Sequence, residues 1–118
     1  MARSDFNMVH INHKFTSGAP VKSANFPIEG NKAPVDDAYL ILQVQGVASI
    51  HSIFINDEHI GGVALAAAPG NSQAWRMGMA HIRPGLLHSG TNSIRINRHP
   101  TTDDDFRVNW VVVNWREN

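Results

Sequence analysis

The sequence contains one aromatic side chain in surroundings suited to a small polar ligand. Trp75 follows a loop rich in Gly, Pro, Asn and Ser, with Asn71 and Gln73 before it and Arg76 directly after it. An indole ring can pack against the apolar side of a pyranose, while amide and guanidinium groups bond its hydroxyls. Trp75 is therefore the best candidate for a sugar-binding platform, with the other three as polar contacts. A strand tryptophan is also a common core residue, so a core position is the alternative.

The other two tryptophans lie near the C-terminus. Trp110 alternates with Phe106 and Val108, which predicts that it shares their buried face. Trp115 is followed by polar residues only, so we expect it to be half exposed. There it could contact a partner protein or a sugar.

The histidines supply one candidate ligand contact and no predicted metal site. His99 stands beside Arg98 and just before an acidic loop, so both side chains could reach a ligand. A solvated loop is the alternative for both. His10 and His13 are three residues apart and face opposite sides of an extended strand, so they cannot chelate one ion.

The acidic run Asp103, Asp104 and Asp105 could bind calcium. Ca²⁺ prefers several carboxylate and carbonyl oxygens, which three consecutive aspartates in a loop could provide. A solvated turn is the alternative. Because such a run is more often a solvated turn, we expect no cofactor, with a structural calcium ion as the one alternative that the sequence leaves open.

Catalytic motifs are missing from the sequence. It has no Gly-x-Ser-x-Gly elbow, no phosphate-binding P-loop and no His-Glu-x-x-His. No pair of acids stands among apolar residues, the setting that would raise the pKa of one of them for acid catalysis. We therefore expect a binding protein and not an enzyme.

Length and charge narrow the possible partners. The chain has 118 residues, enough for one domain, and its ten basic residues balance ten acidic ones. Without net charge there is no long-range field to attract nucleic acid or an anionic membrane. The longest uncharged apolar stretch, 61–70, has about half the roughly 20 residues that a membrane helix needs. We expect neither kind of partner.

The compartment is only weakly constrained by the sequence. The absence of cysteine excludes disulfides and fits a reducing compartment. No apolar run of a secretory signal follows the first residues. We expect a cytoplasmic protein, or one exported by a non-classical route.

Alternation of apolar and polar residues indicates an all-β chain. Residues 1–36 are rich in Pro, Gly, Ser and Asn and are expected to form loops around one opening strand. Residues 64–73 are expected to form a loop, and 83–87 a short 3₁₀ turn. No helical period is convincing, and the regular spacing is typical of an antiparallel β-sandwich in a single domain, 1–118. The predicted strands are 7–15, 37–47, 50–55, 60–63, 75–82, 93–98 and 106–115.

Two segments carry a family resemblance. Residues 53–61, Ile-Phe-Ile-Asn-Asp-Glu-His-Ile-Gly, are similar to a V-N-G-x-x-[IVL]-G hairpin, with Asp57 where glycine is usual. Residues 82–96 are similar to an I-x-x-x-L-x-x-G-x-N-x-I-x-[IV] run that enters a late strand. On these segments, the stretch 37–115 resembles the galactose-binding-like jelly roll of many carbohydrate-binding modules. The resemblance implies a jelly-roll sandwich and a lectin-like, non-catalytic role in binding a glycan.

The alternative is a structural or assembly domain that contacts other proteins or further copies of itself. It predicts an exposed apolar strip formed by Val111, Val113 and Trp115 together with Tyr39 and Ile41. Homo-oligomerisation would be compatible with both hypotheses, because small lectins gain avidity by multiplying weak sites.

Overall fold

The computed structural model describes residues 3–30, 33–63, 74–102 and 104–117, which form eight strands in two antiparallel sheets. The first sheet has the order β1-β8-β3-β6, and the second has the order β2-β7-β4-β5. The predicted all-β sandwich of jelly-roll type is confirmed. None of the described residues forms a helix that could cross a membrane. The strands are β1 (Arg3–Phe15), β2 (Val21–Ile28), β3 (Pro34–Gln45), β4 (His51–Ile55), β5 (Glu58–Val63), β6 (Trp75–Ile82), β7 (Gly90–Asn97) and β8 (Phe106–Glu117).

The core lies between the two sheets and is built by side-chain alternation. Successive side chains of a strand point to opposite faces, so every second residue can be buried. Leu40, Leu42 and Val44 of the central strand β3 follow this pattern, as do Ile94 and Ile96 of β7. The chain has no cysteine, so packing without disulfides must hold the two sheets together.

One strand was not predicted from the sequence. β2 carries Phe26 and Ile28 into the core, but Pro27 between them argued against a strand. Proline cannot donate to a sheet ladder, so within a strand it is confined to edge strands, first positions and bulges. β2 is an edge strand of the second sheet and pairs with β7 alone, which accommodates Pro27.

The predicted hairpin is confirmed as β4 and β5. Asn56 and Asp57 connect the two strands with φ of 50° and 66°. Two successive residues with positive φ match the twist of the flanking strands, and Asn and Asp tolerate that conformation better than most residues. This explains why Asp57 can replace the usual glycine.

The segment after β6 is a tight turn, and the predicted 3₁₀ turn is wrong. Gly85 has φ +84°, whereas a 3₁₀ helix needs negative φ throughout. The Leu86 N–H donates to the Arg83 carbonyl at 3.4 Å, and Pro84-Gly85 at the centre is the signature of a type II turn. Leu86 and Leu87 then enter the core.

Asn92 closes the connection to β7, as predicted. Its Oδ1 accepts hydrogen bonds from the His88 N–H and the Asn56 Nδ2, and its Nδ2 donates to the carbonyls of His88 and Gly90. The buried carboxamide is thus fully used within the turn.

A β-bulge in β8 reverses two predictions about tryptophan. β3 pairs Leu42 with Val111 and Val44 with Val108, so Asn109 and Trp110 together stand opposite a single residue, Gln43. Before the bulge the even-numbered residues Phe106 and Val108 are buried, and beyond it the odd-numbered residues are buried instead. Trp110, predicted to share the face of Phe106 and Val108, is half-buried outside the core.

Trp115 lies inside the sandwich, so the predicted half-exposed position is wrong. It is 4% exposed, and its Nε1 donates to Glu117 Oε2 at 2.9 Å. Val111 and Val113 are buried on the same face, so the predicted apolar strip of Val111, Val113 and Trp115 is also wrong. Of that strip, Tyr39 is exposed and Ile41 is half-buried.

Candidate functional site

The outer face of the first sheet carries the candidate site. Three rows of side chains cross it, each taking one residue from β1, β8, β3 and β6 by strand register. One end row, which we call the groove row, is Lys14, Arg107, Gln45 and Trp75. The middle row is Met8, Val112, Ile41 and Met79, and the far end row is Phe6, Asn114, Tyr39 and His81. Between the groove row and the middle row, bulges in β1 and β8 interrupt the register, and this segment contains Asn12, Asn109, Gln43 and Met77 together with the pair His10 and Trp110.

A shallow groove of about 220 Å³ lies at the groove-row end of this face. Trp75, Arg107, Asn109, Asn12 and His13 line it. Its volume is below the roughly 300–1,000 Å³ of pockets for drug-sized ligands. The groove can therefore contact one part of a ligand, with the rest remaining in solvent.

Trp75 gives the groove an aromatic wall. The alternation of β6 sends Trp75, Met77 and Met79 outward, while Ile82 is buried. Trp75 is 46% exposed, so the core alternative for this residue is wrong. An exposed indole presents an apolar surface that a pyranose ring or another flat ligand can cover.

Two bulges supply the polar groups of the groove. Asn109 belongs to the β8 bulge, and its Nδ2 donates to Gln43 Oε1 at 2.9 Å. Asn12 lies at an irregularity in β1, where the register shifts between His10 and His13, and its φ is 46°. Bulges redirect side chains next to binding sites, and here they turn two carboxamides toward the groove.

The middle of the outer face is apolar and rich in methionine. Met8, Met77 and Met79 are exposed, the last at 71%. Methionine is flexible and polarisable, so it adapts to surfaces of different shape. These side chains extend the apolar area next to Trp75 along β6 and across the sheet.

The other residues predicted to contact a ligand are not in this groove. Arg76 alternates with Trp75 and does not line it. Asn71 and Gln73 lie outside the described residues. Arg98 and His99 belong to the β7–β8 loop, where they serve a different purpose.

Arg98 and His99 hold their own loop together. Arg98 is nearly buried; its Nε donates to the Asp104 carbonyl at 2.6 Å and its Nη2 to the Thr102 carbonyl at 2.9 Å. The His99 N–H donates to His51 Nδ1, and His99 Nδ1 accepts from the Thr101 N–H. These contacts give Arg98 a structural role in its loop, and its contact with a ligand stays a prediction.

The Asp104 carboxylate joins two loops, and we call this arrangement the latch. Asp104 Oδ2 accepts hydrogen bonds from the Ala48 N–H at 2.8 Å, the Ser49 N–H at 2.6 Å and His51 Nε2 at 2.9 Å. The His51 ring is fully buried and stacks on Phe106 at 4.1 Å between centroids. The latch ties the β3–β4 loop to the β7–β8 loop.

The protonation states of the latch follow from its surroundings. Burial lowers the pKa of His51, and this outweighs the hydrogen bond and the attraction to Asp104, which raise it. Burial raises the pKa of Asp104, but the hydrogen bonds from Ala48, His51 and Ser49 outweigh it and lower that pKa overall. Because His51 Nδ1 accepts from the His99 N–H, the ring is neutral with its proton on Nε2.

A His–Asp pair can act as a general base, but this one is fully engaged. Both ring nitrogens of His51 have partners, so neither is available to take a substrate proton. The latch is structural.

The predicted calcium ligands have protein partners instead. Asp104 accepts the three latch hydrogen bonds, and Asp105 pairs with Arg98 at 3.6 Å. Asp103 lies outside the described residues. In the described part of the chain, no cluster of three or more histidines and acids could hold a metal ion.

Sequence reasoning missed the groove residues on β1 and β8. Asn12, Lys14, Arg107 and Asn109 are separated from Trp75 by most of the chain, and only strand order brings them together. One signal was available: Lys14 and Arg107 flank the buried Phe15 and Phe106 of two predicted strands, and alternation alone places both outward.

The model of a family of unknown function, DUF7383, matches residues 3–117. The chain belongs to DUF7383. No curated protein matches it.

Solved structures with similar folds include carbohydrate-binding modules. The CBM36-1 domain of a multidomain xylanase from the hindgut metagenome of Trinervitermes trinervoides superposes with TM-score 0.62 at 9% identity, covering 92% of this chain and 96% of that domain. A family 35 carbohydrate-binding module from an environmental isolate has TM-score 0.59 and 17% identity, with coverage of 88% and 66%.

A third similar structure is part of a much larger protein. Dimeric latent PorU from Porphyromonas gingivalis has TM-score 0.71 and 11% identity, and 99% of this chain corresponds to 13% of PorU. At these identities the likeness establishes the fold alone: this DUF7383 chain is a β-sandwich of the carbohydrate-binding-module type.

Proposed function

We propose that this DUF7383 domain binds carbohydrate, without catalysis, in the groove beside Trp75. The observation that carries the proposal is an exposed indole at the wall of a groove whose lining also includes two carboxamides, a guanidinium and an imidazole. An apolar ring face meets the indole, and hydroxyl groups meet Asn12, Asn109 and Arg107. The carbohydrate-binding modules with the same fold support this choice over other small polar ligands.

The groove favours binding of modest affinity. It is small and open, so it covers only part of a saccharide and leaves many hydroxyls in water. Stacking of an aromatic pair contributes about 0.5–1.5 kcal/mol beyond the area it buries. We expect dissociation constants between about 1 µM and 1 mM. Each 1.4 kcal/mol of binding free energy changes such a constant about tenfold.

Titration of a glycan panel tests the proposal. Oligosaccharides of several backbones are added to the full chain while tryptophan fluorescence and thermal unfolding are recorded. A bound sugar should change the emission of Trp75 and raise the melting temperature by mass action. If no glycan does either, the proposal is wrong.

A pair of variants locates the site. Trp75→Ala should weaken binding about tenfold or more, because it removes the stacking surface. Tyr39→Ala is the matched control: Tyr39 is an exposed aromatic on the same outer face, in the far end row, and does not line the groove. Equal losses in both variants would place the sugar elsewhere.

A further inference from the structure

Two cations of the groove row lie on neighbouring strands, and one of them, Arg107, also lines the groove. Lys14 of β1 and Arg107 of β8 are directly paired in the sheet register, and both are exposed on the outer face. Like charges directly opposite each other on neighbouring strands destabilise a sheet. The pair therefore costs folding stability unless something compensates it.

The described part of the chain provides no such compensation. Neither Lys14 nor Arg107 takes part in an ion pair among the described residues. The described acids nearest to Arg107 along the chain are already engaged, since Asp105 pairs with Arg98 and Asp104 belongs to the latch. No acidic side chain is among the described residues that line the groove.

We infer that the saccharide held by this groove is acidic, with a carboxylate or sulfate ester that binds Lys14 and Arg107. The inference rests on the proposed function and specifies its ligand class. An anionic group between the two cations would remove their repulsion and gain charge-assisted hydrogen bonds, for which the planar guanidinium of Arg107 is well suited.

The spacing along the groove row fits a ring with an acidic substituent. Arg107, Gln45 and Trp75 lie on three successive strands, so the backbones of Arg107 and Trp75 are about 10 Å apart. A sugar ring stacked on Trp75 would direct an exocyclic acid group toward the long Arg107 and Lys14 side chains. Gln45 lies between them in the row.

Matched acidic and neutral sugars test the inference. Oligogalacturonate, a sulfated galactan oligosaccharide and a neutral galactan oligosaccharide of equal length are titrated into the full chain at low and moderate salt. We expect at least one acidic oligosaccharide to bind about tenfold more tightly than the neutral one, and its advantage to shrink as salt rises. Binding of the carboxylated and the sulfated ligand separately shows which acid group is preferred.

Charge-matched double variants assign the preference to the two cations. Lys14→Gln/Arg107→Gln should weaken binding of the acidic sugar about tenfold more than binding of the neutral one, which loses only the hydroxyl contact of Arg107. Lys22→Gln/Arg116→Gln removes the same charge from exposed positions on β2 and at the far end of β8, and should keep the preference. The first variant should melt no lower than the second, because it relieves a repulsion.

The outcomes separate the inference from the proposed function. Equal binding of neutral and acidic sugars that Trp75→Ala abolishes would refute the acidic preference and leave sugar binding intact. Acidic binding that survives Trp75→Ala, or that both double variants lose equally, would also refute it, because charge alone would then explain it. Failure of every saccharide would overturn both.

Discussion

Replacing Asp104 with alanine should open the latch and strongly destabilise the protein. Asp104 Oδ2 accepts hydrogen bonds from Ala48, Ser49 and His51. Alanine leaves the Nε2–H of the fully buried His51 ring without a partner. The two backbone N–H groups lie nearer the surface, where water can replace the carboxylate.

The size of the loss follows from these three contacts. An unsatisfied buried donor costs about 1–3 kcal/mol, and each hydrogen bond exchanged for water costs about 0.5–1.5 kcal/mol net. We expect the free energy of unfolding to fall by about 3 kcal/mol in total, which lowers the melting temperature of a domain this size by roughly 10–15 °C. Asp104→Asn keeps an acceptor oxygen and should lose about half as much.

Urea unfolding followed by tryptophan fluorescence measures this difference against an exposed control. Asp37 also bonds a histidine, His81, at 2.8 Å, but both side chains are more than 60% exposed. Exposed ion pairs contribute only about 0–1 kcal/mol, so Asp37→Ala should change stability little. If the alanine variants of Asp104 and Asp37 lose the same free energy, the reasoning about the latch is refuted.

Three further predictions concern glycine, a turn and pH. Gly46→Ala should lower the free energy of unfolding by about 2–3 kcal/mol, because the new Cβ would lie 2.9 Å from the Asp105 carbonyl oxygen. Gly85 has a similar φ but open space around it, so Gly85→Ala should lower the free energy of unfolding by only about 1 kcal/mol. Chemical denaturation of both variants measures the difference. Asn92→Ala should lower the free energy of unfolding by about 2 kcal/mol in the same assay, since it removes the hydrogen bonds to part-buried backbone groups of the turn, and a loss below about 0.5 kcal/mol would contradict this role. Because the pKa of His51 is lowered in the folded protein, the unfolded state takes up a proton first as pH falls, so the melting temperature should decrease below about pH 6.5. His51→Gln should make the melting temperature depend less on pH in this range. If the melting temperatures of the variant and the wild type fall equally with pH, His51 is not the source of the decline.

Most of the fold follows from local alternation in the sequence. Ile94 and Ile96 are buried as their spacing predicts, and Asn56-Asp57 forms the predicted hairpin turn. These features depend on neighbouring residues only. Pro27 misled the prediction of β2 because the edge position that tolerates it depends on the order of the strands, which no local pattern contains.

The candidate site was harder to predict because it depends on bulges and pairing. A single extra residue at Asn109–Trp110 exchanges the two faces of the strand beyond it. As a result Trp110, predicted to be buried, is half-buried outside the core, and Trp115, predicted to be half exposed, is buried. Trp75 could be identified from its loop and its alternation. Its partners Arg107 and Asn109 could not, because they reach it only through the register of β3 with its two neighbours.

The position of the latch has a consequence for how the groove meets a ligand. The β3–β4 loop begins directly after Gln45, and the β7–β8 loop ends just before Phe106 and Arg107, so the latch joins the two loops next to these residues. Gln45 and Arg107 of the groove row are therefore held by the adjacent latch in addition to their sheet hydrogen bonds. A ligand encounters a surface whose backbone is already ordered, so association forfeits little chain entropy there, and even a shallow contact area can give measurable affinity.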